Sequence, residues 1–140
     1  MERIVSFVGS IFIPVTDIAR STEWYVRMFD LKTIEKTDQR VGLAFPNGQT
    51  LILLWKVEKP QPVQFDSGKA MMPYFNFTSY DINHSYNQLK AKGAELSEIH
   101  EEDGFTYFEA FDLDGNPLSV VEETGQTPYF AHKNSLRNPK

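Results

Sequence analysis

The segment IFIPVTDIARS at residues 11–21 recurs loosely as FNFTSYDINHS at residues 75–85. A second pair, NGQTLILL at residues 47–54 and DGNPLSVV at residues 114–121, repeats at a similar distance along the chain. The first pair begins with alternating β-branched and aromatic residues, which is typical of a strand, and continues to an aspartate that can cap a helix. The repeat therefore predicts two related modules, each about half the chain.

Both modules predict the same order of elements, which is a strand, a helix and three further strands. Residues 18–29 place their apolar side chains on one helical stripe. The tetrapeptide Pro46-Asn47-Gly48-Gln49 is typical of a hairpin turn, and Gly93 is typical of a residue that follows a helix. The predicted elements are 9–15, 18–29, 32–36, 39–45 and 50–57 in the first module, and 73–79, 82–92, 94–100, 105–111 and 117–122 in the second.

With 140 residues the chain is long enough for one domain with a substantial core. We expect a single domain over residues 1–123, made of the modules 8–57 and 72–123. Residues 58–71 contain two prolines, a glycine and several polar residues, which favours a linker between the modules. The tail at 124–140 shows no periodicity and is expected to be frayed or loosely packed.

Composition narrows the classes of function. The net charge of −5 argues against binding to nucleic acid or to an anionic membrane surface, because both require a basic face. The chain has no cysteine, which excludes disulfides, thiolate nucleophiles and cysteine-based metal sites. No apolar stretch has the length of a signal peptide or a membrane span, so we expect a soluble cytoplasmic protein.

Few residues have the pattern of catalytic groups. The acidic runs Glu101–Asp103 and Glu122–Glu123 are interpreted as a charged turn and a charged strand end. Glu109 lies between Phe108 and Ala110 on a predicted strand and could project towards a ligand. The histidines lack ligand spacing to one another and are interpreted as solvated surface residues: His84, His100 and His132.

Three segments resemble the vicinal oxygen chelate superfamily, which includes glyoxalase I, extradiol dioxygenases, fosfomycin-resistance enzymes and bleomycin-resistance proteins. They are residues 13–21 with Trp24-Tyr25, residues 80–82, and FDLDGNPL at residues 111–118. The resemblance implies an α+β fold of two βαβββ modules, with curved sheets around a shared cleft and both helices outside. The fold class does not name a reaction, because this superfamily supports many activities.

Enzymes of this superfamily hold a divalent metal through a histidine or glutamate on the first and last strand of each module. Transferred to this chain, the first-strand positions are Ser10 and Tyr74, and the last-strand positions are Ile52 and Ser119. Isoleucine has no lone pair to donate, and neutral hydroxyls are poor ligands for Zn²⁺, Fe²⁺ or Mn²⁺. The resemblance therefore predicts no metal, no cofactor and no catalytic residue in the cleft.

Strand alternation extends these positions to a candidate pocket. Side chains two residues apart on a strand point to the same face, so four neighbours should join the metal-equivalent positions. Residues of the opposite parity, including Ile11, Ile13 and Leu53, should then pack under the helices. A cleft filled by its own side chains is the alternative. The predicted ligand-binding residues are Ser10, Phe12, Ile52, Leu54, Tyr74, Asn76, Ser119 and Val121.

The sequence favours a metal-free, non-catalytic protein that binds a small aromatic or amphipathic molecule, as in the bleomycin-resistance branch of the superfamily. By analogy with that branch we expect a homodimer. Two alternatives remain open. The first is a metal-dependent lyase or dioxygenase of the same superfamily whose ligands are misaligned here. The second is an interaction module whose cleft is filled.

Overall fold

A computed structural model of the chain describes residues 3–46 and 48–137, so Asn47 of the predicted hairpin turn lies outside the described residues. Within these ranges, no helix is both long and apolar enough to span a membrane. The chain divides into two compact units, and the boundary after Val63 lies inside the expected linker. The first unit runs to Val63 and includes Asp112–Asn116, and the second comprises Gln64–Phe111 and the chain from Pro117 onwards.

The first unit is a four-stranded mixed sheet with one helix. Its strand order is β1-β4-β3-β2, in which β1 and β4 are parallel and the other neighbours are antiparallel. A parallel pair needs a crossover connection, and here α1, β2 and β3 provide it. Its elements are β1 (Ser10–Val15), α1 (Ile18–Phe29), β2 (Lys32–Lys36), β3 (Arg40–Ala44) and β4 (Leu51–Lys56).

Helix α1 begins and ends where the local chemistry predicts. The carboxylate of Asp17 accepts a hydrogen bond from the Arg20 backbone N–H at 3.1 Å, which satisfies one of the free donors of the first turn. The helix ends at Asp30 in the left-handed conformation (φ 53°), which aspartate tolerates better than most residues. Its apolar stripe packs on the sheet, and the buried hydrophobic residues of the unit include Ile13, Val15, Tyr25, Met28, Val41, Leu43, Ile52 and Leu54.

The turn Asp112–Asn116 contributes a buried polar network to the first unit. The Tyr25 hydroxyl donates to Asp112 Oδ2 at 2.6 Å, and Asn116 Nδ2 donates to the same oxygen at 2.8 Å. Asn116 also donates to the Pro14 carbonyl oxygen and accepts from the Val63 backbone N–H. Burial, followed by the charge of Asp112, raises the pKa of Tyr25 well above its usual value, so the phenol remains a donor.

The second unit repeats the order of the first. Its main sheet has the order β7-β11-β10-β8, with β9 also paired to β10, and a separate hairpin joins β5 to β6. The pair β7–β11 is parallel, as β1–β4 is in the first unit. Its elements are β5 (Gln64–Asp66), β6 (Met71–Pro73), β7 (Asn76–Thr78), α2 (Ile82–Ala91), β8 (Glu95–Leu96), β9 (His100–Glu102), β10 (Phe105–Phe111), β11 (Pro117–Glu123) and α3 (Pro128–Arg137).

Helix α2 packs on one face of this sheet. Asp81 caps it by accepting from the His84 backbone N–H at 3.1 Å, and the Glu122 carboxylate accepts from Ile82 N–H at 2.8 Å. Glu122, next to the last residue of β11, therefore also satisfies a helix terminus. The α+β class and the βαβββ order of both modules are confirmed. The core of the second unit includes Phe77, Ile82, Leu89, Phe108, Ala110, Leu118 and Val120.

The prediction of a frayed or loosely packed tail is wrong for residues 128–137, because they form helix α3. Thr127 caps this helix, because its hydroxyl accepts from the Phe130 backbone N–H at 3.0 Å. Pro128 occupies the first helical position, where its missing N–H costs nothing. Lys133 pairs with Glu123 on β11, and the Arg137 guanidinium lies 3.9 Å from the Tyr80 ring centroid.

In the second module, the single strand expected over residues 94–100 is not observed. It is divided into β8 and β9, and the hydroxyl of Ser97 accepts the Glu109 backbone N–H at 2.8 Å between them. The expected linker is likewise partly ordered, since it contains β5 and the start of β6. These short strands bring the segments 70–75 and 100–105 to the edges of the sheet face opposite α2.

Candidate functional site

The predicted pocket residues of the first unit divide between two faces of its sheet. Ser10 is half-buried and Phe12 is 62% exposed on the face away from the core. The Phe12 ring contacts that of Trp55 edge to face, with the centroids 6.4 Å apart. These side chains form an open surface of the sheet.

The prediction that Ile52 and Leu54 of β4 face the pocket is wrong. They are 2% and 0% exposed, and they lie beside Ile11 and Ile13 of β1 on the core face. The partner of Phe12 is Leu53, whereas the equivalent partner of Asn76 is Ser119. Two residues separate Gly48 from β4, but only Asn116 separates Gly115 from β11, so alignment through the turns shifts β4 by one position. A shift of one residue exchanges the two faces of a strand.

The predicted pocket residues of the second unit come together. Tyr74, Asn76, Ser119 and Val121 line one cavity of about 460 Å³ on the sheet face opposite α2. This volume lies within the range of about 300–1,000 Å³ that is usual for small-molecule sites. The cavity is lined by Ala70, Met71, Met72, Pro73, Tyr74, Phe75, Asn76, His100, Glu102, Phe105, Tyr107, Glu109, Ser119 and Val121.

A row of polar side chains crosses the floor of this cavity. Glu109 on β10 is the antiparallel partner of Ser119 on β11, and Ser119 is the parallel partner of Asn76 on β7. Ser119 is only 6% exposed. Across residues 3–46 and 48–137, none of these three side chains has a hydrogen-bond partner. These side chains face the cavity and retain free hydrogen-bonding capacity, so the row is suited to a ligand that bonds to it.

Aromatic side chains stand beside this polar row. The Tyr107 ring lies 5.2 Å from that of His100 and 5.9 Å from that of Phe105. Its hydroxyl donates to Glu102 Oε1 at 3.3 Å. Burial raises the pKa of Tyr107, and the nearby carboxylates of Glu102 and Glu109 raise it further, so the phenol is neutral at physiological pH.

The outer wall of the cavity is apolar and open to solvent. Tyr74 is 66% exposed, and its ring lies 5.5 Å from that of Phe65 on β5. Met71 and Met72 are also exposed on the same hairpin. Methionine and aromatic side chains adapt to ligands of different shapes, and an exposed apolar rim of this kind is frequent around binding sites.

Several lining residues were missed by sequence reasoning. His100 and Glu102 are exposed, as expected for a surface histidine and a charged segment, and both also line the cavity. Phe105 and Tyr107 also line the cavity, and they alternate with the buried Phe108 in the same way as Glu109 does. Strand alternation applied to β10 would have found them. His84 and His132 are exposed, as expected.

The metal-equivalent positions do not fit a metal. After correction of the β4 register they are Ser10, Leu53, Tyr74 and Ser119, which together offer no imidazole and no carboxylate. His100, Glu102 and Glu109 line the cavity, but nowhere in the described part of the chain do three such side chains form a group that could hold a metal ion. Zn²⁺ and Fe²⁺ sites require charged or imidazole ligands, so no reaction step through a metal can be derived from these residues.

Solved structures share this fold. TnmS3, an antibiotic binding protein from Streptomyces sp. CB03234, is 14% identical with a TM-score of 0.70, over 88% of this chain and all of TnmS3. The fosfomycin resistance protein FosX from Listeria monocytogenes is 14% identical with a TM-score of 0.69, over 88% of this chain and 98% of FosX. A glyoxalase/bleomycin resistance protein/dioxygenase superfamily member from Sphaerobacter thermophilus DSM 20745 is 21% identical with a TM-score of 0.69, over 86% and 100% of the two chains.

These structural similarities, at low sequence identity, show the fold alone. No curated protein matches the chain in sequence. The family is shown by the sequence itself, because residues 6–120 match the profile of the Glyoxalase/Bleomycin resistance protein/Dioxygenase superfamily. Both the matched range and the paired βαβββ modules agree with the resemblance found in the repeat. The chain therefore belongs to the glyoxalase/bleomycin resistance protein/dioxygenase superfamily.

Proposed function

We propose that this protein binds a small, partly aromatic molecule in the cavity of its second unit, without a metal and without transforming the ligand. The observation that carries the proposal is Ser119, which is 6% exposed, lines the cavity and has no hydrogen-bond partner in the described chain. A hydroxyl that faces a cavity without a partner in the protein can donate to or accept from a ligand there. The aromatic walls around it supply apolar contact area at small entropic cost.

The residue types of the site favour binding over catalysis. The superfamily positions that would carry a metal hold hydroxyl and apolar side chains, which removes the group that activates substrates in its enzymes. TnmS3, whose fold is similar, is described as an antibiotic binding protein, so the fold is compatible with the proposed function. Of the residues that the sequence predicted for the pocket, we retain Tyr74, Asn76, Ser119 and Val121 as ligand contacts.

The Tyr74→Ala variant tests this proposal with tryptophol, a neutral indole alcohol, as the probe. We expect the variant to bind tryptophol about 1–3 kcal/mol more weakly, because a large aromatic contact is lost. Since Tyr74 is 66% exposed, the free energy of unfolding should change by less than about 0.5 kcal/mol. Calorimetric titration of protein dialysed against EDTA measures the first quantity, and urea unfolding measures the second.

Tyr80→Ala is the matched control, because Tyr80 is 59% exposed in the same unit but does not line the cavity. It should bind tryptophol as the unmodified protein does. The proposal is contradicted if both variants bind equally well, or if the EDTA-treated protein binds only after Zn²⁺ or Mn²⁺ is returned.

A further inference from the structure

The charges around the cavity are of one sign. The charged side chains among its lining residues are Glu102 and Glu109, and no lysine or arginine lines it in the described chain. The Glu109 carboxylate has no ion pair or hydrogen bond within residues 3–46 and 48–137. A partly buried carboxylate without a partner favours a cation, because the cation restores the interactions lost on leaving water.

A lysine beside the cavity does not neutralise these carboxylates. Lys133 of α3 lines a smaller neighbouring cavity, which shares Asn76, Phe105 and Val121 with the first. Its ammonium group pairs with Glu123 and lies 3.3 Å from the Thr78 hydroxyl oxygen. The charge of Lys133 is therefore already balanced by Glu123, and the negative charge of Glu109 remains available to a ligand.

The polar row has the chemistry of an ammonium receptor. Glu109, Ser119 and Asn76 lie side by side on three neighbouring strands, and each presents an oxygen that can accept a hydrogen bond. An ammonium group has three donors and no acceptor, so it can satisfy all three oxygens at once. An anionic ligand would instead approach Glu109 without a compensating positive charge.

The aromatic walls support the same assignment. Tyr107 and Phe105 lie on β10, the strand that also carries Glu109 of the polar row. Tyr74 lies between β6 and β7 and lines the same cavity. The faces of such rings attract a cation within about 6 Å of the ring centroid, and they also pack against an apolar body. The same walls therefore serve both ends of an aromatic amine.

We propose that the cavity is specific for ligands that carry a primary ammonium group on an apolar or aromatic body. The ammonium group binds at Glu109, Ser119 and Asn76, and the body packs against Tyr74 and Phe105. This inference rests on the proposed function, since it assigns a ligand class to the same cavity.

Three indoles of similar size and different charge test the ligand class: tryptamine is a cation, tryptophol is neutral and indole-3-acetate is an anion. We expect calorimetry to show that tryptamine binds about tenfold more tightly than tryptophol, as one charge-assisted hydrogen bond would give, and that indole-3-acetate binds most weakly. Equal or tighter binding of tryptophol overturns the ammonium assignment and leaves the binding function intact. Failure of all three to bind overturns both.

The Glu109→Gln variant tests whether Glu109 causes the preference for tryptamine over tryptophol. It should bind tryptamine about tenfold more weakly and change tryptophol binding by less than about twofold, since only the cation loses its counter-charge. Retained tryptophol binding shows that the variant is folded. Glu101→Gln is the matched control, because Glu101 lies one residue from Glu102 and pairs with Thr106 on the other face of the sheet. If Glu109→Gln keeps the preference for tryptamine, or Glu101→Gln loses it, the assignment is wrong.

Discussion

Replacing Asp112 with alanine is expected to lower the free energy of unfolding by about 2–6 kcal/mol, because two buried donors lose their acceptor at about 1–3 kcal/mol each. These donors are the Tyr25 hydroxyl and the Asn116 amide, which both bond to Asp112 Oδ2. The turn loses support as well, since Asp112 Oδ1 accepts from the backbone N–H groups of Asp114 and Asn116, both at 2.9 Å. A natural domain has only about 5–15 kcal/mol in total, so the variant should be close to its stability limit at physiological temperature.

Urea unfolding followed by circular dichroism measures this loss as a shift of the midpoint at constant slope. Asp103→Ala is the control, because Asp103 is exposed in the turn before β10 and makes no side-chain hydrogen bond among the described residues. It should change the free energy of unfolding by less than about 0.5 kcal/mol. Equal effects of the two variants would contradict a structural role for the Asp112 network.

Phe108→Ala is expected to lower the free energy of unfolding by about 3–5 kcal/mol, the usual cost of removing a buried phenylalanine ring. Phe108 is 0% exposed and meets Tyr86 of α2 edge to face, with the centroids 5.1 Å apart. Its neighbour Tyr107 points to the other face of β10 and lines the cavity. Tyr107→Ala should therefore reduce tryptophol binding and cost much less stability than Phe108→Ala.

Urea unfolding and tryptophol titration of both variants give a reciprocal test, in which each variant is the control for the other. The expected pattern is a large loss of stability for Phe108→Ala and a selective loss of binding for Tyr107→Ala. The reverse pattern would show that the two faces of β10 have been assigned the wrong way round.

Local chemistry made much of the fold predictable. The aspartates at positions 17 and 81 cap the two repeated helices, and each accepts a hydrogen bond from the backbone N–H three residues later. The segment at 111–118 carried part of the family resemblance, and the strand–helix–strand order followed from periodicity. These signals depend on neighbours within a few residues, so they can be read without knowledge of the tertiary structure.

The face of β4 could not be predicted by aligning the repeat. The turn before β4 is one residue longer than the turn before β11, and the sequence does not show on which side of a turn an extra residue lies. Because strand faces alternate, an alignment error of one residue assigned Ile52 and Leu54 to the pocket, although both lie in the core. Helix α3 has a start signal in Thr127 and Pro128, but its weak apolar periodicity does not predict a helix after them.

The cavity was only partly predictable because its walls come from separate parts of the chain. Tyr74, Asn76 and Ser119 followed from the resemblance, but His100 and Glu102 join them only because β9 pairs with β10. That pairing depends on the break at Ser97, whose hydroxyl takes the hydrogen bond of the Glu109 N–H. Such a side-chain substitution for a regular strand bond has no clear signature in a single sequence.

The central claim is that the cavity of the second unit binds its ligand without a metal. A ¹H–¹⁵N correlation titration with tryptophol, in the presence of EDTA, tests it most directly. We predict saturable shifts of the backbone signals of Asn76, Tyr107, Glu109 and Ser119, while those of Ile52 and Leu54 remain in place. Shifts confined to residues outside the cavity, or shifts that begin only when Zn²⁺ or Mn²⁺ replaces the EDTA, would contradict the claim.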